Sequence, residues 1–174
     1  MIIAGGYKVN INSLSKEYKV RVLKEKDICD ILNICNGNPN YYNYCPPKAS
    51  EELIIHDMNA LPPGKTHEDK YYIGFYETEK LVAIMDLIAK YPDVETAFIG
   101  FFMMNKNNQG KGTGTKIITE CCDYLKEIGF EKVMLAYVRE NEEAKAFWIK
   151  NKFVKTGAEV KTDDYVALVM KRDL

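Results

Sequence analysis

The sequence has almost no net charge and little glycine or proline, and these shortages exclude several kinds of protein. Its 24 Lys and Arg nearly balance its 25 Asp and Glu, so the whole chain has no basic field to attract nucleic acid or an anionic membrane. Eleven Gly and six Pro are too few for a disordered chain. Met1–Ala4 is apolar but has no basic flank, so we expect neither a signal peptide nor a membrane anchor, and a cytoplasmic protein.

Cysteine and histidine are also scarce. The five cysteines, at positions 29, 35, 45, 121 and 122, are odd in number and form no CxxC pair, and only His56 and His67 could help them bind a metal. We therefore expect reduced, mostly buried thiols and no metal centre. The alternative is a reactive Cys45 in a tyrosine-rich loop, although free cysteine is usually a small core residue.

The length of 174 residues suits one domain with a sizeable core and is short for two. We expect a single domain over residues 1–174. Residues 1–17 would be an N-terminal extension that either adds an edge strand or is flexible.

The first third of the chain predicts a strand and two helices. The strand covers Tyr18–Lys24, and Asp27 is a candidate N-cap for the first helix. Asn36–Lys48 contains two consecutive prolines and three tyrosines, so it predicts an irregular loop with exposed aromatic side chains. Ser50 is the expected cap of the second helix, which stops at Pro62 because proline lacks the N–H that a continuing helix requires.

The middle of the chain predicts an antiparallel meander of three strands, Tyr71–Tyr76, Leu81–Ala89 and Thr96–Met104. The third strand is apolar throughout, so we expect it to lie centrally and to be covered on both faces. A polar, glycine-rich segment and a long amphipathic helix that ends at Gly129 follow. The last elements alternate between strand and helix, over Lys132–Val138, Asn141–Lys150, Phe153–Thr156 and Tyr165–Lys171.

The turn over residues 109–115 is the strongest candidate for a binding site. Gly110, Gly112 and Gly114 lie between a strand and a helix, where backbone N–H groups and the helix dipole can hold a phosphate. Residues 105–116 contain three lysines and no acid, which gives the turn a local positive charge. The alternative is a tight turn that needs only the positive φ of glycine.

Two familiar phosphate-binding motifs fail on spacing. No Gly-Lys-Ser/Thr follows a glycine as the nucleoside-triphosphate loop GxxxxGK[ST] requires. The dinucleotide motif GxGxxG fails because Thr115 occupies the place of its third glycine. The segment does match (Arg/Gln)-x-x-Gly-x-(Gly/Ala), through Gln109, Gly112 and Gly114.

With this motif directly after an apolar strand, the chain resembles the GNAT acetyltransferase superfamily over roughly residues 18–172. The order of the elements agrees, including a helix that carries Asn141-x-x-Ala144-x-x-Phe147-Trp148. The resemblance implies an α/β fold with a mixed, mostly antiparallel sheet of about seven strands and about four helices. It also implies an N-acetyltransferase that moves an acetyl group directly from acetyl-CoA to a primary amine of a small molecule or peptide.

The resemblance further implies which residues contact acetyl-CoA. The pyrophosphate would lie on the backbone N–H groups of Gln109, Gly110, Lys111, Gly112, Thr113, Gly114 and Thr115. The pantetheine arm would pair with the strand edge at Phe102, Met103 and Met104. Asn141 and Phe147 would complete the contacts. The alternatives are core packing for Phe102 and Met104 and a helix N-cap for Asn141.

The catalytic groups are marked less directly. Where similar proteins commonly have a tyrosine that protonates the coenzyme A thiolate, this chain has Trp148, whose indole N–H donates hydrogen bonds but is no useful proton donor. Water, or Tyr137 on the preceding strand, could serve instead. An alkylamine with a pKa near 10.4 must first lose a proton. The candidate base is Asp86, which faces either the substrate cleft or solvent.

Aromatic side chains suggest where the acceptor binds. Tyr41, Tyr42 and Tyr44 could wall the acceptor pocket, because aromatic faces suit a cationic amine; ordinary loop packing is the alternative. Two other functions stay open, a non-catalytic acyl-CoA-binding or regulatory domain of the same fold, and a nucleotide- or phosphometabolite-binding protein. We expect no nucleic acid or membrane partner, and a homodimer is left open.

Overall fold

The computed structural model describes residues 8–174, and its strands form one seven-stranded sheet in the order β1-β2-β3-β4-β5-β7-β6. The expectation for Met1–Ala4 lies outside the described residues. The strands are β1 (Lys19–Val22), β2 (Lys70–Glu77), β3 (Lys80–Ala89), β4 (Thr96–Met104), β5 (Lys132–Val138), β6 (Val154–Lys161) and β7 (Val166–Asp173). β4 is therefore central, as predicted, and β6 is longer than predicted.

Five α-helices lie within residues 8–174, one more than the number predicted. They are α1 (Ile28–Asn36), α2 (Pro39–Tyr44), α3 (Glu51–Asn59), α4 (Thr113–Glu127) and α5 (Glu142–Lys150). The additional helix is α2, in the segment predicted as an irregular loop. Pro39 stands in the first turn of α2, where its fixed φ suits a helix and its missing N–H is not needed. Tyr41 holds α2 against the sheet through an edge-to-face contact with Phe101, with ring centroids 5.7 Å apart.

The sheet separates two apolar cores, as alternating side chains of buried strands require. On one face, Met85 and Leu87 of β3 pack with Ile117 and Ile118 of α4. On the other face, residues of β3 and β4 pack with α1 and α3, for example Ile84 with Ile31 and Ile54. All five cysteines are free, and Cys35, Cys121 and Cys122 are buried in these cores. The prediction of mostly buried thiols is therefore confirmed.

The two predicted N-caps have different outcomes. The Ser50 hydroxyl accepts a hydrogen bond from the Leu53 N–H at 3.2 Å and so caps α3, as predicted. Asp27 is the N-cap residue of α1, as predicted, but its carboxylate makes no cap hydrogen bond to that helix. It instead accepts two hydrogen bonds of 2.9 Å from the Arg21 guanidinium and one of 2.9 Å from the Lys24 N–H. A bidentate, charge-assisted pair is stronger than a cap, so it decides where the carboxylate points.

The N-terminal extension adds no edge strand within residues 8–17. It forms a short 3-10 turn at Ile11–Ser13 and buries Val9 and Leu14 in the core that contains α4. The Glu120 carboxylate of α4 accepts hydrogen bonds from the Ser15 hydroxyl at 2.5 Å and from the Lys16 N–H at 3.0 Å. The extension is therefore part of the packed structure from residue 8 onward.

β4 is not covered on both faces along its whole length, contrary to prediction. Gly100 is exposed, and Phe101 and Phe102 are only half-buried. The cause lies in the pairing of β4 with its neighbour β5, which is parallel and joins only Thr96–Ile99 to residues 132–135. The other strand pairs of the described chain are antiparallel, which confirms the mixed, mostly antiparallel sheet.

The Arg21–Asp27 pair generates a testable prediction about stability. Because the Arg21 hydrogen bonds lower the pKa of Asp27, the carboxylate stabilises the fold above its unfolded pKa of about 3.9, and this contribution is lost as the pH falls through the lower folded-state value. Asp27→Ala should lower the free energy of unfolding by about 1–3 kcal/mol at pH 7, measured by urea denaturation. The difference in the free energy of unfolding between Asp27→Ala and the unaltered protein should become smaller in acid.

A matched control is Glu68→Gln, which removes an exposed loop carboxylate. This variant should unfold like the unaltered protein at every pH. If Asp27→Ala lost as much unfolding free energy in acid as at pH 7, the stabilisation could not be assigned to the ionised carboxylate.

Candidate active site

A cavity opens in the sheet where β4 and β5 diverge. Their pairing ends at Ile99 and Leu135, although β4 continues to Met104 and β5 to Val138. β3 still pairs with the other edge of β4 as far as Met104. The β5-facing edge of β4 beyond Ile99 therefore has no strand partner. The cavity has a volume of about 770 Å³, a size typical of small-molecule sites.

The cavity has two walls, because successive strand residues point to opposite faces of the sheet. One wall, here called the α5 wall, consists of Phe102, Tyr137, Asn141, Phe147 and Trp148. The opposite wall, here called the α2 wall, consists of Tyr41, Tyr44, Cys45, Phe101 and Tyr165.

The predicted glycine-rich turn forms one end of the cavity. Gly110 and Gly112 have φ values of 73° and 83°, and a Cβ on either would meet nothing within 4 Å. These two glycines are therefore needed for their backbone conformation, and Gly112 is the N-cap residue of α4. Because no side chain caps α4, its first N–H groups are available to an anion.

Gly114 is required for a different reason. A Cβ at this position would lie 3.1 Å from the Phe147 ring, so glycine permits the close approach of α4 and α5. The Phe147 ring in turn stacks on Phe102, with centroids 5.9 Å apart and planes inclined by 18°. The glycine motif thus shapes both the turn and the α5 wall.

The three lysines near the turn have different environments. Lys116 forms an ion pair with Glu17, and the Lys111 ammonium donates to the Asn107 carbonyl at 2.8 Å. Lys106 lines the cavity. Of the residues predicted to contact the cofactor, Lys111 and Thr113 are not among those lining the cavity, and the other ten are.

Gln109 is tied to the protein through Asn38, a residue that the sequence analysis missed. The Gln109 amide donates to Asn38 Oδ1 at 2.6 Å and to the Met104 carbonyl at 3.3 Å. The Asn38 amide donates to the carbonyls of Met104 at 3.0 Å and Ile34 at 2.8 Å. This network joins the turn, the end of β4 and the start of α2. The Asn38-Pro39 dipeptide is a turn signal, but it does not reveal a partner 71 residues away.

Asn141 is both an N-cap and a cavity residue. Its Oδ1 accepts a hydrogen bond from the Ala144 N–H at 2.9 Å, which caps α5. The side chain is buried and lines the cavity. Asn141 is therefore the helix N-cap that the sequence analysis gave as an alternative, and its amide NH₂ group lies beside the cavity.

Trp148 and Tyr137 both belong to the α5 wall, but their surroundings differ. Trp148 packs in an aromatic cluster, 4.9 Å from the Phe147 ring and 5.2 Å from the Phe153 ring between centroids. The Tyr137 side chain is 5% exposed, and its buried hydroxyl has no hydrogen-bond partner within the described chain. A buried hydroxyl without a partner is costly, so it favours a ligand that supplies one.

Asp86 faces neither the cavity nor bulk solvent, the two positions expected for it. Its Oδ2 accepts a hydrogen bond from the Lys70 ammonium at 2.7 Å, and the two side chains are 15% and 3% exposed. Burial raises the pKa of Asp86, and the Lys70 ammonium opposes that shift. Its Oδ1 has no partner among residues 8–174.

The Asp86 carboxylate does not line the cavity, but a β-bulge places it directly behind Gly100, which does. Asp86 pairs with Phe101 and Leu87 pairs with Ile99, so Gly100 is the extra residue of β4. A Cβ on Gly100 would lie 3.1 Å from Asp86 Oδ2. Gly100 lines the cavity, and its lack of a side chain leaves room for the carboxylate.

The α2 wall contains two of the three predicted tyrosines. Tyr41 and Tyr44 line the cavity, whereas Tyr42 packs in the core with α1 and α3. The sequence analysis missed Tyr165, which precedes β7 and shares Cys45 as a neighbour with Tyr41. Burial, with Cys45 as a second cause, raises the pKa of Tyr165 to about 12.

Other candidate groups lie elsewhere. His56 and His67 are exposed and do not line the cavity. Within residues 8–174, no three His, Cys, Asp or Glu side chains are grouped to hold a metal ion. No helix in the same range is long and apolar enough to span a membrane.

Several solved structures share this fold. The acetyltransferase from Thermus thermophilus has a TM-score of 0.72 at 18% identity, covering 90% of this chain and 97% of that one. The PaiA N-acetyltransferase from Thermoplasma acidophilum, in complex with coenzyme A, has a TM-score of 0.63 at 15% identity, covering 90% and 99%. The ribosomal-protein-S18-alanine N-acetyltransferase from Escherichia coli has a TM-score of 0.63 at 15% identity, covering 90% and 93%. At these identities the likeness shows the fold.

The sequence itself identifies the family. None of the curated proteins matches the chain. Residues 28–153 match the family described as Acetyltransferase (GNAT) family. The matched segment runs from the start of α1 to the residue before β6, and it includes the diverging strands, the turn and α5. This match confirms the resemblance carried by Gln109, Gly112 and Gly114, and the chain belongs to the GNAT acetyltransferase family.

Proposed function

We propose that this protein binds acetyl-CoA in the cavity between β4 and β5 and transfers its acetyl group directly to a primary amine. The observation that carries the proposal is the free edge of β4 beside the uncapped N-terminus of α4. A strand edge suits the amide groups of a pantetheine arm, and a helix N-terminus suits a pyrophosphate. One cavity contains both features at once.

In this arrangement the pyrophosphate lies on the backbone N–H groups of the turn at residues 109–115, with Lys106 nearby. The pantetheine arm runs along β4 at Phe102–Met104 and passes Asn141 and Phe147 of the α5 wall. A structure of the same fold, the PaiA N-acetyltransferase, was solved in complex with coenzyme A, which supports coenzyme A as a ligand of this cavity. The acceptor then enters from the α2 wall, on the opposite face of the sheet.

The reaction needs no covalent enzyme intermediate. The unprotonated amine attacks the thioester carbonyl carbon, and the tetrahedral intermediate collapses to an amide and the coenzyme A thiolate. N–H groups on the free edge of β4 stabilise the negative charge that develops on the carbonyl oxygen. The thiolate takes up one proton, and the attacking nitrogen releases one.

Tyr137 is the proposed proton donor to the thiolate. Its hydroxyl is buried, has no partner within the described chain and belongs to the wall along which the pantetheine arm would lie. Trp148 occupies the position that usually holds the tyrosine, but an indole N–H is no useful proton donor. Trp148 therefore shapes the wall through its aromatic contacts.

Asp86 is the proposed base and acts through water, because its carboxylate lies behind Gly100 instead of lining the cavity. An alkylammonium ion at neutral pH must lose a proton at a cost of about 4–5 kcal/mol, so a proton acceptor matters more to this reaction than a proton donor. Burial raises the pKa of Asp86 towards neutrality, which makes it a better base than an exposed carboxylate.

Cofactor binding provides the first test. Coenzyme A should bind in calorimetry, and ATP should not displace it with similar affinity. Gly112→Ala strains a φ of 83° and adds a methyl group near the proposed pyrophosphate, so it should weaken coenzyme A binding about tenfold or more. Gly64→Ala is the matched control, because Gly64 has a φ of 77°, has open space and lies outside the cavity lining.

Equal loss of affinity in both glycine variants would contradict the assignment of the turn. Displacement by ATP with similar affinity would favour the nucleotide-binding alternative. Coenzyme A binding without turnover of any amine in a broad panel would favour a non-catalytic acyl-CoA-binding domain.

Loss of the Tyr137 hydroxyl should slow the chemical step. Tyr137→Phe should lower kcat about 10- to 100-fold and leave KM for acetyl-CoA nearly unchanged, because the proton is needed only in the transition state. Release of coenzyme A thiol measures both constants. Tyr91→Phe is a suitable control, since Tyr91 is remote from the cavity. An unchanged kcat in Tyr137→Phe would assign the proton transfer to water.

The role of Asp86 should appear in the pH dependence of kcat/KM. A base must be deprotonated, so activity is lost as the pH falls through the pKa of Asp86. Lys70→Met removes the ammonium that opposes the raised pKa, and the acidic limb of the profile should move to higher pH. Asp86→Asn should remove that limb and lower kcat/KM about 100-fold. A merely structural Asp86–Lys70 pair would lower stability in both variants and leave the shape of the profile unchanged.

A further inference from the structure

The α2 wall has no charged side chain. Among the described residues that line the cavity, the charged ones are Lys106, Glu143 and Lys150. Glu143 and Lys150 belong to α5, and Lys106 follows β4 and lies beside Gly37 at the end of α1, so none of the three belongs to the α2 wall. The acceptor side instead presents aromatic rings, a thiol and tyrosine hydroxyls.

Two tyrosines of this wall, Tyr41 and Tyr165, stay neutral. Burial raises the pKa of Tyr41 and, to about 12, that of Tyr165, and the neighbouring Cys45 contributes to both shifts. Their hydroxyls can therefore donate hydrogen bonds at physiological pH, and their faces can receive a cation. The wall offers no ammonium or guanidinium group to pair with a carboxylate on the acceptor.

Two carboxylates lie on the same face of the sheet as α2. Asp57 is an exposed residue of α3, whose apolar side chains pack in that core, and Asp86 of β3 is paired with the Lys70 ammonium. Asp57 forms no ion pair within the described chain, and its negative charge contributes to the raised pKa values of Tyr165 and Asp86. Such a field favours a cationic acceptor and disfavours an anionic one.

From these observations, and resting on the acetyl transfer proposed above, we infer the class of acceptor. It is a cationic amine on an aromatic or apolar group, without a carboxylate beside the amino group. The balanced reaction is acetyl-CoA plus R-NH₃⁺ giving R-NH-CO-CH₃, coenzyme A thiol and H⁺. The C–S bond of the thioester breaks and an amide C–N bond forms. Free amino acids are excluded as good acceptors, because the α2 wall would leave their carboxylate unpaired.

Three compounds with the same phenyl ring test this inference. They are 2-phenylethylamine, phenylalaninamide and phenylalanine, which differ only in the group next to the amine. Rates are compared per concentration of unprotonated amine, so that differences in the protonated fraction of the three amines cancel. The first two should have similar kcat/KM values, and phenylalanine should be at least about tenfold poorer, because its charge would be desolvated without a partner.

Two variants test whether named residues cause the preference for acceptors without a carboxylate. Asp57→Asn should reduce the preference for phenylalaninamide over phenylalanine, whereas Glu51→Gln, an exposed acid at the start of the same helix, should leave it unchanged. Tyr44→Arg places a cation at a position that is already 37% exposed and should raise kcat/KM for phenylalanine while lowering it for 2-phenylethylamine.

The failures of the two proposals are distinguishable. Phenylalanine acetylated as well as phenylalaninamide would overturn the acceptor class and leave acetyl transfer standing. Coenzyme A binding with no turnover of the three compounds would also overturn it. Absence of coenzyme A binding would overturn the proposed function itself.

Discussion

The site depends on one constraint, the early end of the pairing between β4 and β5. Four residues of each strand pair in parallel, and beyond Ile99 the two strands diverge. β3 keeps β4 in the sheet through its other edge, and β7 does the same for β5, so the sheet stays intact around the gap. A backbone edge inside a fold normally finds a strand partner, because unpaired buried N–H and C=O groups are costly. The unpaired N–H and C=O groups of β4 therefore favour a ligand whose own amide groups can hydrogen-bond to them.

The surrounding elements hold this gap open in a fixed shape. The hydrogen bonds among Asn38, Gln109 and Met104 join α2, the turn and β4, so the two walls of the cavity share one anchor. On the other side, Gly114 lets Phe147 approach α4 and stack on Phe102. The α5 wall and the α2 wall are therefore positioned by contacts that meet at the end of β4.

The chemistry follows from where polar groups lie relative to that strand. Tyr137 brings an unpartnered hydroxyl to one wall, and the bulge at Gly100 places the Asp86 carboxylate directly behind this cavity-lining glycine. Lys70 keeps this buried carboxylate paired. The opposite wall is aromatic and uncharged, and the charged residues that line the cavity, Lys106, Glu143 and Lys150, lie outside it.

Features that depend on near neighbours along the chain could be predicted from the amino-acid sequence alone. The apolar pattern predicted a central β4 and the buried stripe of α4, and three closely spaced glycines predicted the turn. The resemblance to the family rested on the motif of Gln109, Gly112 and Gly114 and on the order of the elements. The same reasoning missed α2, since prolines and tyrosines are as common in loops as in first turns. Other features arise only on folding, including the Asp86–Lys70 pair, the Asn38–Gln109 bond and the position of Tyr165 in the α2 wall. These contacts join residues far apart in sequence, and they exist only after strand register and the divergence of β4 and β5 have set which side chains meet.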